Sequence, residues 1–103
     1  MHSLGSLIRK LREEKEEPLR KTAAFLEMDP ALLSKIERGQ RKPSREQVEK
    51  LADYLGGDKK EFLVAWLSDR IYYEVQGESF AEEALRVAED RIKYETKKPN
   101  KDK

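Results

Sequence analysis

The clearest chemistry in this chain lies in five cations that are close together in the sequence, Lys35, Arg38, Arg41, Lys42 and Arg45. Between positions 29 and 45 these five bases accompany two acids, a local charge of +3 in a chain whose net charge is +1. Lys and Arg bind phosphate, and affinity for nucleic acid depends on local phosphate neutralisation. The cluster is a candidate phosphate-binding surface. Charge alone is insufficient evidence for this, because small helical proteins often have solvated, charge-striped faces.

Residues suited to catalysis or metal binding are few. The chain has no cysteine, and its single histidine, His2, adjoins the N-terminus. Acidic pairs such as Glu13/Glu14 and Glu89/Asp90 stand beside Lys or Arg, so solvated helix faces explain them better than acid–base chemistry does. There is no Gly-rich phosphate loop and no serine with a plausible histidine base. We expect no enzyme activity, no cofactor and no metal site.

The cations follow a segment that predicts two short helices joined by a tight turn. In the second helix Asp29 suits the N-cap, Pro30 suits the first helical position, and Gly39 closes the C-terminal end. The preceding helix is predicted for residues 19–26. The link at residues 27–29 then has the length that a helix-turn-helix requires.

At these residues the chain resembles the lambda-repressor-like (Cro/repressor, or Xre-type) family of helix-turn-helix regulators. The most specific pieces are LLSKIERGQRKPS at residues 32–44 and LGSLIRKLREEK at residues 4–15, and the resemblance extends to residue 67. It implies that the first motif helix braces the DNA backbone while the second, residues 30–38, lies in the major groove. It also implies a scaffold ion pair between Arg12 and Glu37.

The chain departs from the family pattern at three places. Leu19 stands where family members usually have a glutamine that contacts DNA. Glu27 stands where they usually have a glycine in the turn, and it lacks glycine's conformational freedom. Residues 30–32 are Pro-Ala-Leu where polar base readers are usual, so their side chains can only touch thymine methyls. We therefore expect specificity and affinity to concentrate in residues 34–45.

Helical spacing divides the candidate DNA contacts into two groups. Leu33 and Ile36 point inward, and the predicted base-reading residues are Ala31, Leu32, Ser34, Lys35 and Arg38. The predicted phosphate-binding residues are Arg20, Arg41, Lys42, Ser44 and Arg45. Lys35 or Arg38 best suits the O6 and N7 atoms of guanine.

Apolar periodicity and capping boxes predict further helices before and after the motif. The fold class is all-α: a five-helix lambda-repressor-like DNA-binding domain with an extended fifth helix and an additional C-terminal helix. We assign residues 1–67 to the helix-turn-helix domain, residues 68–95 to a helical extension that dimerises, and residues 96–103 to a disordered basic tail.

The extension carries more apolar residues than one small domain needs. The predicted dimer interface comprises Trp66, Ile71, Tyr72, Val75, Phe80, Leu85 and Ile92. A symmetric dimer places two recognition helices about 34 Å apart, one turn of DNA. The alternative is that the last helix folds back and caps a monomer.

Together these features favour a sequence-specific, double-stranded DNA-binding transcriptional regulator, with repression as the preferred outcome. The alternative is a protein-interaction adapter or antitoxin-like module that uses the C-terminal helices and binds little DNA. The chain has no run of about 20 apolar residues and no signal-peptide pattern, so we expect a cytoplasmic, nucleoid-associated protein without membrane contact.

Overall fold

The computed structural model describes residues 3–97, which are all-helical with no strand in that range, so the all-α prediction is confirmed there. Its helices are α1 (Leu4–Glu14), α2 (Leu19–Phe25), α3 (Pro30–Glu37), α4 (Arg45–Leu55), α5 (Lys59–Val75) and α6 (Ala81–Lys97). The chain divides into two compact units between Ile71 and Tyr72. His2 lies outside the described residues. So does the predicted tail, apart from Thr96 and Lys97 at the end of α6.

The first unit is built on one hydrophobic core to which α1 through α5 all contribute. Apolar residues recur every three or four positions along the helices, so each helix turns one stripe inward. The buried members are Leu4, Leu7, Ile8, Ala23, Leu33, Ile36, Val48, Leu51, Ala52, Leu55, Phe62 and Ala65. Each large side chain that is fully buried contributes about 1.5–3 kcal/mol. This core holds the two helices of the motif in a defined orientation.

α1 packs closely against the end of α3. A Cβ atom on Gly5 would lie only 2.2 Å from the carbonyl oxygen of Glu37, so the contact requires glycine. From the other side, α5 stabilises the start of α1, since the backbone N–H of Leu4 donates to Oδ2 of Asp69 at 3.0 Å. Both contacts depend on residues that are distant in sequence.

The turn between α2 and α3 contains a glutamate in a left-handed conformation. Glu27 has φ 55°. Its N–H donates to the carbonyl of Ala24 at 3.0 Å, and the N–H of Met28 donates to that of Ala23 at 2.9 Å. These bonds form a Schellman-type helix end, for which glycine is the usual residue. Glu27 thus takes the conformation expected at the family's turn glycine, at a steric cost of about 1–2 kcal/mol.

The second unit contains the last turn of α5 and all of α6, and α6 buries no residue. Its exposed large apolar and aromatic side chains are Tyr72, Tyr73, Phe80, Leu85, Val87, Ile92 and Tyr94. The rings of Tyr72 and Tyr73 meet edge to face with centroids 5.4 Å apart. No helix within residues 3–97 combines the length and apolar character needed to cross a membrane.

Candidate nucleic-acid interface

The orientation of α3 is set by its cap and by two buried side chains. Oδ1 of Asp29 accepts a hydrogen bond from the N–H of Ala31 at 2.8 Å, and Pro30 occupies the first helical position. Leu33 and Ile36 are 0% and 3% exposed. Because these two residues anchor the inner side, the opposite side of the helix is held toward solvent.

The predicted base-reading residues lie on that accessible side of α3. Ala31, Lys35 and Arg38 are exposed, whereas Leu32 and Ser34 are partly buried. Lys35 and Arg38 therefore project the longest donors from this face. Among the five predicted base-reading residues, these two cations carry the side-chain donors best suited to base edges, because alanine and leucine offer only apolar contact.

The chain leaves α3 through a tight turn and enters an exposed basic loop. Gly39 has φ 77°, and the N–H of Gln40 donates to the carbonyl of Lys35 at 2.8 Å, which closes the helix. Arg41 and Lys42 follow and are both exposed. Two cations thus stand directly beyond the end of the exposed face of α3.

The loop ends in a capping box at the start of α4. The N–H of Gln47 donates to Oγ of Ser44 at 3.1 Å, and the N–H of Ser44 donates to Oε1 of Gln47 at 3.0 Å. The Ser44 hydroxyl is an acceptor here, so its own proton remains available to a phosphate oxygen. Arg45 pairs with Glu49 at 3.3 Å, with much of both side chains exposed. Such a surface pair is worth at most about 1 kcal/mol, so Arg45 can exchange it for a phosphate.

The two acids of this segment are engaged within the protein. Asp29 caps α3. Glu37 forms a bidentate ion pair with Arg12, Nε to Oε2 at 2.7 Å and Nη2 to Oε1 at 3.0 Å. The Arg12 and Glu37 side chains are only 13% and 6% exposed. The hydrogen bonding of the Arg12 guanidinium to the Glu37 carboxylate raises the pKa of Arg12, although burial opposes the shift. The exposed charge of the segment is therefore dominated by its five cations.

Arg20 belongs to a different element from the other predicted phosphate ligands. It is exposed in the first turn of α2, which follows the N-cap residue Pro18. The buried residues Thr22 and Ala23 lie on the inner side of α2, and this helix packs on α3. The two helices of the motif therefore pack against each other, and each carries its own exposed cations: Arg20 on α2, and Lys35 and Arg38 on α3 and at its end.

The residues predicted for a dimer interface differ in their surroundings. Ile71, Tyr72, Phe80, Leu85 and Ile92 are exposed, and Val75 is partly buried. Trp66 is partly buried and packs against the core of the first unit, and its indole N–H donates to the carbonyl oxygen of Pro43 at 2.9 Å. Nothing in the spacing of the sequence indicated this bond, because an aromatic residue on a long apolar helix has many possible neighbours.

A second aromatic contact was also missed by sequence reasoning. Tyr54 stacks on Phe25 with ring centroids 4.3 Å apart, and its hydroxyl donates to the carboxylate of Glu17. Within residues 3–97, no group of three or more His, Cys, Asp or Glu side chains is placed to hold a metal ion.

A family model described as a helix-turn-helix domain matches residues 3–63, more than half of the chain. No curated protein and no solved structure matches the chain. The matched range begins one residue before α1 and ends early in α5, so it includes α2, the turn at Glu27, α3 and the basic loop. The chain belongs to the helix-turn-helix domain family.

Proposed function

We propose that this protein is a sequence-specific, double-stranded DNA-binding transcriptional regulator that acts as a repressor at the nucleoid. The observation that carries the proposal is the set of exposed cations on α3 and the loop after it, in a segment whose acids are engaged internally. We further propose that α1 to α5 adopt the lambda-repressor-like arrangement, with α3 in the major groove.

In this mechanism phosphate contacts position the protein and α3 supplies the base contacts. Arg20, Arg41, Lys42, Ser44 and Arg45 bind the backbone on either side of the groove. Lys35 and Arg38 then meet base edges, with guanine as the preferred partner, and Ser34 adds a shorter donor or acceptor. Ala31 and Leu32 contribute apolar contact with thymine methyl groups.

We propose that the protein binds DNA as a homodimer. A single α3 contacts few base pairs, whereas two helices about 34 Å apart read two half-sites. The exposed apolar residues of α5 and α6 support this proposal: Ile71, Tyr72, Phe80, Leu85 and Ile92, together with the partly buried Val75. Light scattering should give a molar mass of two chains for the unchanged protein and of one chain for Ile92→Glu.

The DNA proposal is tested by titrating random duplex at two salt concentrations and then selecting bound sequences. Replacing a base-reading Lys35 or Arg38 by Ala should cost about 1–3 kcal/mol and relax preference at one position. Arg41→Ala should instead weaken binding to all sequences. It should also reduce by about 1 the magnitude of the salt slope, which is the slope of log affinity against log salt concentration. The matched control is Lys93→Ala, since Lys93 is an exposed lysine paired with Glu89 on α6. Absence of affinity even at low salt rules out the proposal.

A protein-interaction adapter is the second candidate function. Its support is accessible surface beyond the predicted dimer residues. Val64 is 56% exposed and borders an open groove of about 620 Å³. Apolar and charged residues both line this groove: Leu7, Asp58, Lys60, Glu61, Val64, Ala65 and Ser68. An adapter with a helix-turn-helix fold would remain folded and yet fail to bind duplex at low salt. Steep salt dependence of duplex binding excludes a pure adapter.

A further inference from the structure

The basic loop between α3 and α4 is tied to α5 by one long-range hydrogen bond. The indole Nε1–H of Trp66 donates to the carbonyl oxygen of Pro43 at 2.9 Å, across 23 positions of sequence. Pro43 is buried, although its neighbours Lys42 and Ser44 are exposed. The bond therefore anchors the inner edge of a loop whose outer edge carries cations.

The other bonds of this loop are local and restrain its two ends. Gln40 bonds back to Lys35 where the chain leaves α3, and Ser44 forms the box with Gln47 where it enters α4. Arg41 and Lys42 lie between those ends. The Trp66 bond acts on the residue directly after Lys42, so it restrains the part of the loop that the end caps leave free.

The ring of Trp66 is itself held from a second direction. The guanidinium carbon of Arg70 lies over the ring, 5.1 Å from its centroid, within the range of a cation–π contact. Arg70 follows Trp66 by four positions, so both side chains occupy the same face of α5. This contact favours one orientation of the indole and thereby the direction of its N–H.

We propose that Trp66 is a positioning residue for DNA binding: it holds the Pro43 carbonyl and so sets the path of Arg41 and Lys42 along the phosphate backbone. This inference rests on the DNA-binding function proposed above. Phosphate contacts are strongest when the cations are preorganised. If the loop is in its binding-competent conformation for only a fraction of the time, the apparent affinity is reduced to that same fraction of its intrinsic value. Trp66 contributes no DNA contact of its own in this scheme.

Two replacements remove the indole N–H. Trp66→Phe keeps an aromatic ring but reduces its size. Because Trp66 is the single tryptophan of the chain, replacing tryptophan globally with benzothienylalanine changes this position alone. That isostere has sulfur in place of N–H, so it retains ring size and the face offered to Arg70. The matched control is Tyr54→Phe, which also removes a polar atom of a partly buried aromatic residue, here bonded to Glu17.

We expect duplex affinity to fall about three- to tenfold in both replacements, the change that corresponds to one net hydrogen bond. The salt slope should fall as well, by up to about 0.9 for each phosphate that the protein no longer neutralises. Arg41→Ala should cost less affinity in the Trp66→Phe background than in the unchanged chain. Amide exchange at residues 40–42 should be faster without DNA, while Tyr54→Phe should leave the slope and these amides unchanged.

The outcomes separate this inference from the function on which it rests. If the unchanged chain fails to bind duplex at low salt, the proposed function is wrong and the role of Trp66 is overturned with it. If the unchanged chain binds but the benzothienyl protein shows the same affinity and salt slope, only the inference is overturned. The inference is also overturned if the Trp66 replacements lower duplex affinity but leave the salt slope unchanged, and if their effects add fully to that of Arg41→Ala. That pattern indicates a general loss of stability.

Discussion

The ion pair between Arg12 and Glu37 allows a sharp test of what holds α3 in place. Arg12 reaches from α1 to the last residue of α3 and also donates through Nη1 to the carbonyl of Glu17 at 3.0 Å. We consider the substitution Arg12→Met, which keeps much of the length and apolar contact of the side chain. It leaves Glu37, whose side chain is 6% exposed, without its cationic partner.

The expected cost follows from this burial. Removing one partner of a buried ion pair costs about 3–5 kcal/mol, since the remaining charge stays desolvated and uncompensated. A domain of this size has a total stability of about 5–15 kcal/mol, so the loss is a large fraction of it. Each kcal/mol lowers Tm by about 4–8 °C in a domain of this size. Thermal unfolding and urea titration followed by circular dichroism will measure both quantities.

α1 offers a matched control. Arg9 pairs with Glu13 at 3.3 Å on the same helix, but both side chains are more than 60% exposed. Arg9→Met should therefore cost less than about 1 kcal/mol. The double variant Arg12→Met with Glu37→Met should recover most of the loss, because an apolar pair can replace a buried ion pair without a large penalty. If Arg12→Met costs no more than Arg9→Met, or if the double variant is no more stable than Arg12→Met alone, the reasoning is wrong.

Three further substitutions test other contacts. Glu27→Gly should stabilise the protein by about 0.5–1 kcal/mol in urea titration, because removal of the left-handed strain outweighs glycine's entropy cost, and a loss of stability would contradict this. Gly5→Ala should cost about 1–3 kcal/mol or more, since its Cβ would collide with the Glu37 carbonyl, and an unchanged Tm would show that α1 can move aside. The hydrogen bond to Glu17 raises the pKa of Tyr54 above its usual 10.0, so its stabilisation is complete below pH 10 and is lost as pH rises through the folded-state pKa. Unfolding measured between pH 9 and 11 should therefore show a smaller loss of stability in Tyr54→Phe than in the unchanged chain, and equal losses would refute the assignment.

Local features of the motif were accessible from sequence because they depend on near neighbours. Asp29 caps α3, Gly39 closes it, and Ser44 forms its box with Gln47, all within a few residues. The helical period also identified Leu33 and Ile36 as the inner side of α3. Propensity, capping and periodicity are local, so one sequence suffices to predict them.

Contacts between distant residues were less accessible. The Trp66 bond to Pro43 joins residues that no periodicity relates, and the sequence alone favoured Trp66 as an interface residue. The stacking of Phe25 on Tyr54 was missed for the same reason. Arg12 and Glu37 were paired only through the family resemblance, since spacing by itself does not select one acid among many.

By itself the sequence determined the helical class, the place of the turn and the concentration of cations in residues 34–45, because these follow from short-range chemistry. Tertiary structure alone decided that Gly5 lies against the end of α3 and that Trp66 bonds to the basic loop through the Pro43 carbonyl. The physical reason is that packing selects one partner among many that local preference allows, and only the folded chain brings those partners within contact distance.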